Sequence, residues 1–218
     1  MSSLHLVIDP NFTQWGTHLV NINMLKLLLA SGADVERWFS HWMLGECNAL
    51  QLMFATSYPY PHHDDATRRY YNDALSLLLE NGADPNVSVI DFMSHDCLPC
   101  VSRILTLRLK WQEAFSKIKC LVLHGANLEA LDEYYNRFID LALSYHFNPP
   151  ADVWKWLFHK GLRIHSTSIT DLYHTDNVAH SLRTEICHKS TYYTPRARMK
   201  AAKFNPQWGF VDKYLKMP

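Results

Sequence analysis

The sequence predicts an all-α fold: a stack of four to five helix-turn-helix units separated by long finger loops. Three observations carry this prediction. First, an apolar helix-like run ends four times in the same glycine signature. The copies are Leu27-Leu28-Leu29-Ala30-Ser31-Gly32-Ala33-Asp34, Leu77-Leu78-Leu79-Glu80-Asn81-Gly82-Ala83-Asp84, Cys120-Leu121-Val122-Leu123-His124-Gly125-Ala126-Asn127 and, in weaker form, Trp156-Leu157-Phe158-His159-Lys160-Gly161-Leu162. Second, each run spaces its apolar residues three to four apart, the period of a helix with one buried face. Third, a second apolar segment follows each glycine at a near-constant distance. Leu50 lies 18 residues after Gly32, Cys100 lies 18 after Gly82, and Ile139 lies 14 after Gly125. Internal repetition of this kind signals a fold built by stacking one unit.

The elements follow in order. First helices are expected near residues 4–8, 48–56, 99–107 and 138–145. Second helices are expected at 20–30, 72–80, 111–123 and 151–159, each closed by a glycine that stops the helix in a left-handed conformation. Pro149-Pro150 punctuates the fourth pair, and Pro150 suits a helix N-terminus. Hairpin-like fingers occupy 35–47, 85–98 and 128–137. A further copy is centred on Ala179, 18 residues after Gly161. Read this way, the first unit has no finger before it. The pairs are expected to stack through Leu27, Leu28, Leu78, Leu79, Leu121 and Ile139.

These segments resemble the ankyrin-repeat family, whose unit is a turn, a first helix opening with Thr-Pro-Leu-His-x-Ala, and a second helix ending before a Gly-Ala-Asp turn. Ser2-Ser3-Leu4-His5-Leu6-Val7, Asn48-Ala49-Leu50-Gln51-Leu52, Leu98-Pro99-Cys100-Val101 and Phe138-Ile139-Asp140-Leu141-Ala142 stand where that motif belongs. The motif is degraded, and only the first copy keeps its histidine, His5. The glycines lie 50, 43 and 36 residues apart, against a family period of about 33. Added loop length costs little, because closure entropy grows only logarithmically. The resemblance covers residues 2–165. Residues 166–218 read as a degenerate repeat or a basic C-terminal capping segment.

Composition narrows the class. Apolar residues make up 48% and charged residues 19%, as in a globular chain. No apolar run reaches the ~18 residues of a membrane span. Five scattered cysteines argue against a secreted disulfide framework and for a cytoplasmic or nuclear protein. Formal charge is balanced overall but unevenly placed. Residues 1–159 hold 11 Lys/Arg and 17 Asp/Glu, whereas residues 160–218 hold 10 and 4. Arg196, Arg198, Lys200 and Lys203 form a sparse basic cluster after Pro195. It reads as the solvated face of a capping helix, with an import signal or nucleic-acid patch as the alternative.

Several patterns resemble reactive sites. Cys97-Leu98-Pro99-Cys100 has the spacing of half a zinc site, but no second Cys-x-x-Cys exists, and Cys100 falls where the unit buries a leucine. His62-His63-Asp64-Asp65 follows Tyr58-Pro59-Tyr60-Pro61 in the loop expected at 57–68. Successive side chains on an extended strand point to opposite faces, so such a run seldom closes one metal shell. No phosphate loop, His-Glu-x-x-His helix or nucleophile elbow occurs. No enzyme activity, metal or cofactor is expected.

The fingers are the functional candidates. Trp38, Phe39 and Trp42 lie in the first, Phe92 and Met93 in the second, and Tyr134 and Tyr135 in the third. Tyr58 and Tyr60 occupy the long loop. Aromatic residues dominate interface energetics, although long fingers can also pack their aromatics for stability. The resemblance implies a finger-and-first-helix face that grips a protein partner. The expectation is a monomeric, noncatalytic adaptor or inhibitor that does not bind membranes. A nuclear transcription coregulator, or a nucleic-acid-associated protein using the basic segment, is the competing reading.

Overall fold

A computed structural model describes residues 3–8, 21–42, 44–56, 65–90, 96–107, 109–145, 147 and 149–163. The chain divides into two compact units, Met1–Tyr135 and Asn136–Pro218. The further copy around Ala179, the basic cluster and the whole of 166–218 lie outside the described residues.

In the first unit the order is α1 (Ser3–Ile8), α2 (Ile22–Ala30), β1 (Phe39–His41), β2 (Gly45–Cys47), α3 (Ala49–Thr56), α4 (Asp65–Glu80), β3 (Ser88–Ile90), β4 (Cys97–Pro99), α5 (Cys100–Thr106) and α6 (Trp111–Leu123). First helices α1, α3 and α5 form one row and second helices α2, α4 and α6 another; α1 packs on α2, α3 on α4, and α5 on α6. The core between the rows includes Leu25, Leu50, Leu78, Ile104, Ile118 and Leu121, all buried.

The expectation of an all-α solenoid is wrong. The fold mixes helix and strand, because two fingers pair as antiparallel ladders. In the first, Phe39 faces Cys47 and His41 faces Gly45; in the second, Val89 faces Leu98 and Ile90 faces Cys97. Each strand is three residues long. A period-two pattern needs roughly four to eight residues to stand out in sequence, so strands this short leave no periodic signal.

The four glycine turns share one geometry. At the end of α2, the Gly32 N–H donates to Leu29 O and the Ala33 N–H donates to Leu28 O, a Schellman pair. The same two bonds recur at Gly82/Ala83, Gly125/Ala126 and Gly161/Leu162. All four glycines have positive φ, between 80° and 105°. A short acceptor side chain follows the first three turns. Asp34, Asp84 and Asn127 each accept, through Oδ1, the N–H two residues on, at 2.9–3.0 Å. That bond folds the exit from the helix toward the finger.

The loop expected at 57–68 is shorter than anticipated, since α4 begins at Asp65. Leu27 is also corrected: it is exposed, while Leu25 and Leu29 face the core. Residues turn about 100° per step in a helix, so Leu27 sits on the side opposite Leu25. Leu28 is half-buried, and Leu78, Leu79, Leu121 and Ile139 are buried as expected.

The second unit holds α7 (Phe138–Ser144) and α8 (Ala151–His159) among its described residues. Phe147 joins them, edge-on to Phe138 at 6.4 Å and to Trp154 at 5.7 Å. Arg137 N–H donates to Asp140 Oδ2 at 2.9 Å, satisfying a free donor at the start of α7. Among the described residues, no helix is long and apolar enough to cross a membrane.

Candidate protein-binding surface

The fingers of the first unit are tied to the helix rows and to one another by side chains. Glu36, four residues after Gly32, accepts the Asp84 N–H at 2.8 Å and the Asn48 side-chain amide at 3.1 Å. Asn86 holds the corresponding place after Gly82. It accepts the Asn127 N–H at 2.8 Å and donates to Gly125 O at 3.2 Å. The first turn is thus clamped to the second, and the second to the third, by one residue at the same position. Asn48 and Gln51 cap α3 reciprocally, each side chain accepting the other's N–H, at 3.0 and 2.9 Å. Gln51 Nε2 also donates to Ser88 O at 2.7 Å, which fixes β3 against the preceding unit.

The first finger alternates inward and outward. Phe39 and His41 point in and Ser40 points out. Phe39 lies against the His5 ring with centroids 3.3 Å apart, and His41 Nδ1 accepts the Leu44 N–H at 3.3 Å to close the tip. Trp38 and Trp42 remain outside, 54% and 76% exposed. The second finger buries Val89 opposite Leu98 and exposes Ile90.

The third finger has no strand. Buried Asp132 shapes it, its side chain accepting the Tyr134 N–H at 2.9 Å and its carbonyl accepting the Tyr135 N–H at 3.1 Å. Tyr135 is held at φ 64°, a left-handed conformation that costs a side chain with a Cβ about 1–2 kcal/mol. Tyr134 and Tyr135 are 62% and 79% exposed. Tyr134 donates its hydroxyl to Asp96 Oδ1 at 2.9 Å, and Glu133 Oε1 accepts the Cys97 N–H at 2.9 Å, so this finger leans on the second. The bond to Asp96 raises the Tyr134 phenol above its ordinary pKa and keeps it a donor.

Of the residues singled out in the sequence, Trp38, Trp42, Tyr134 and Tyr135 are therefore presented to solvent. Phe39 is not: at 8% exposure it belongs to the interior, because strand alternation turns it toward His5. Phe92, Met93, Tyr58 and Tyr60 lie outside the described residues. The fingers thus do both things their aromatics could do, packing Phe39 and displaying the other four.

The cysteine pair is divided between two settings. Cys100 is fully buried, and burial pushes its thiol well above the ordinary range, with Asp84 and Glu36 adding to the effect. It is held as a neutral, apolar side chain. Cys97 sits half-buried on β4. Among the described residues, no group of three or more His, Cys, Asp or Glu side chains gathers as a metal site.

Two features of this surface were missed in the sequence. The Asn48-x-x-Gln51 cap could have been read from its spacing before an apolar run. The clamps by Glu36 and Asn86 had only the faint signal of a polar residue four places after each glycine. The chain matches no protein-family model, no curated protein and no solved structure.

Proposed function

We propose that this chain is a noncatalytic protein-protein interaction module, a regulatory adaptor or inhibitor of the cytoplasm or nucleus, that grips a protein partner with its fingers. Kinship with ankyrin repeats is part of the proposal and is supported by the recurring Gly-Ala-Asp turn with its shared hydrogen bonds. The observation that carries the reading is the exposure of Trp38, Trp42, Tyr134 and Tyr135 on fingers clamped by Glu36, Asn86, Gln51 and Glu133. Anchor rings on a rigid frame lose little conformational freedom on binding, which favours affinity. Tyr135 adds weight, because strained backbone persists where the surroundings enforce it and often marks a binding site.

The test is proximity labelling in the native cell with the intact chain and with a Trp38→Ala, Trp42→Ala, Tyr135→Asn variant. Asparagine tolerates the left-handed backbone, so the third change removes the ring without adding strain. The variant is expected to keep its helical spectrum and abundance and to lose the labelled partner. Anchor residues contribute ~2 kcal/mol or more each when truncated, so binding falls by orders of magnitude. A folded variant that labels the same partner as the intact chain defeats the proposal.

A further inference from the structure

The described finger residues with the turns that lead into them, 34–42, 44–47, 83–90, 96–99 and 126–137, contain eight Asp or Glu and two Lys or Arg, Arg37 and Arg137. The whole chain carries 21 of each sign, so this bias is local. Three of the carboxylates lie on the segments beside the exposed rings. Asp96 accepts the Tyr134 hydroxyl, Glu133 adjoins Tyr134 in sequence, and Glu46 lies on β2 of the hairpin that displays Trp42. Several already accept backbone N–H groups, as Glu36 and Glu133 do, which holds them in place. The surface therefore combines fixed negative charge with open aromatic faces.

We propose that the fingers take an arginine-rich segment of a partner protein. This rests on the protein-binding reading above and names the chemistry of the partner. A guanidinium stacks on a Trp or Tyr face and, in the same plane, forks two N–H donors to a carboxylate. Lysine supplies the charge but not the planar fork, so the surface prefers arginine. Nucleic acid is disfavoured on this face, since its phosphates meet carboxylates rather than cations.

The experiment uses the full chain and three short fluorescent peptides that alternate alanine with arginine, lysine or glutamate. Binding is read by anisotropy at low and physiological salt. The arginine peptide is expected to bind tightest, the lysine peptide more weakly, and the glutamate peptide not at all. Trp38→Ala with Trp42→Ala is expected to weaken the arginine peptide at least about tenfold. A second variant, Glu46→Gln, Asp96→Asn and Glu133→Gln, keeps one acceptor oxygen at each position while removing charge. It is expected to weaken binding and flatten its salt dependence.

Equal binding of the arginine and glutamate peptides overturns the proposal, as does arginine binding that neither variant changes. Self-association of the chain that competes with the peptide assigns the surface to a second copy and overturns it too. The two readings fail separately. If no peptide binds while proximity labelling still depends on Trp38 and Trp42, the partner chemistry is wrong and the protein-binding face stands. If peptide binding and labelling both ignore the fingers, the face itself is wrong.

Discussion

The glycine turns and the fingers they lead into differ in how they vary. The turn is built four times with the same two backbone bonds and the same left-handed glycine. The fingers are built three ways: a hairpin that displays Trp42, a hairpin that exposes Ile90, and a strandless loop that holds Tyr135 at positive φ. The turn must end a helix in each of the four copies and lead into a finger after the first three, so one solution is reused. The finger has no such duty beyond its base, where Glu36 and Asn86 repeat the same clamp. Its outer half is where the units depart from one another. Constancy at the turn serves the fold, and divergence at the fingertips is what the proposed recognition role would draw on.

Substitutions can break that comparison in order of effect. The largest loss is expected from Gly82→Val, which forces a β-branched residue to φ 92°. No atom lies within 4 Å of the added Cβ, so the cost is conformational, about 2 kcal/mol, read as a lower denaturation midpoint. A smaller loss, about 1 kcal/mol, is expected from Asn86→Ala, which removes both clamping bonds to the next turn.

A pH series sharpens the contrast from the helix side. Lys117 is buried on α6 and donates to Asn72 Oδ1 at 2.6 Å. Desolvation lowers its pKa from 10.5, with Glu113 and Cys120 partly opposing. Because the folded pKa is the lower one, the unfolded chain binds more protons between the two values, and stability rises with pH across that window. Lys117→Met removes this dependence, so the intact chain is expected to gain stability relative to the variant as pH climbs toward 10.5. The smallest effect is expected from Trp42→Ala: about 0.5 kcal/mol or less in unfolding, because the ring is mostly in water.

Much of the helical framework was legible before the structure. The periods of Leu75, Leu78 and Leu79 and of Ile118 and Leu121 mark buried faces, and the glycines mark where helices stop. Helices 111–123 and 151–159 fall where the pattern put them. The strands escaped because three residues are too few to show alternation. Phe39 was misjudged for the same reason: without knowing the strand, nothing in Arg37-Trp38-Phe39-Ser40 says which ring turns in. Tyr135 gave no warning of its left-handed backbone, since that conformation is imposed by Asp132 rather than preferred by tyrosine. The clamps join residues 39 to 48 positions apart, and no local pattern encodes such pairs.

The most direct measurement is photo-crosslinking in the native cell from a reactive phenylalanine analogue placed at one of two exposed positions. Position 42 is on the first fingertip, and position 27 is on the second-helix row. Both sites tolerate a bulky ring, because Trp42 and Leu27 are themselves large and exposed. Recognition by the fingers predicts a discrete crosslinked partner from position 42 and none from position 27. Crosslinking from position 27, with none from position 42, would contradict it and move the binding face to the helices.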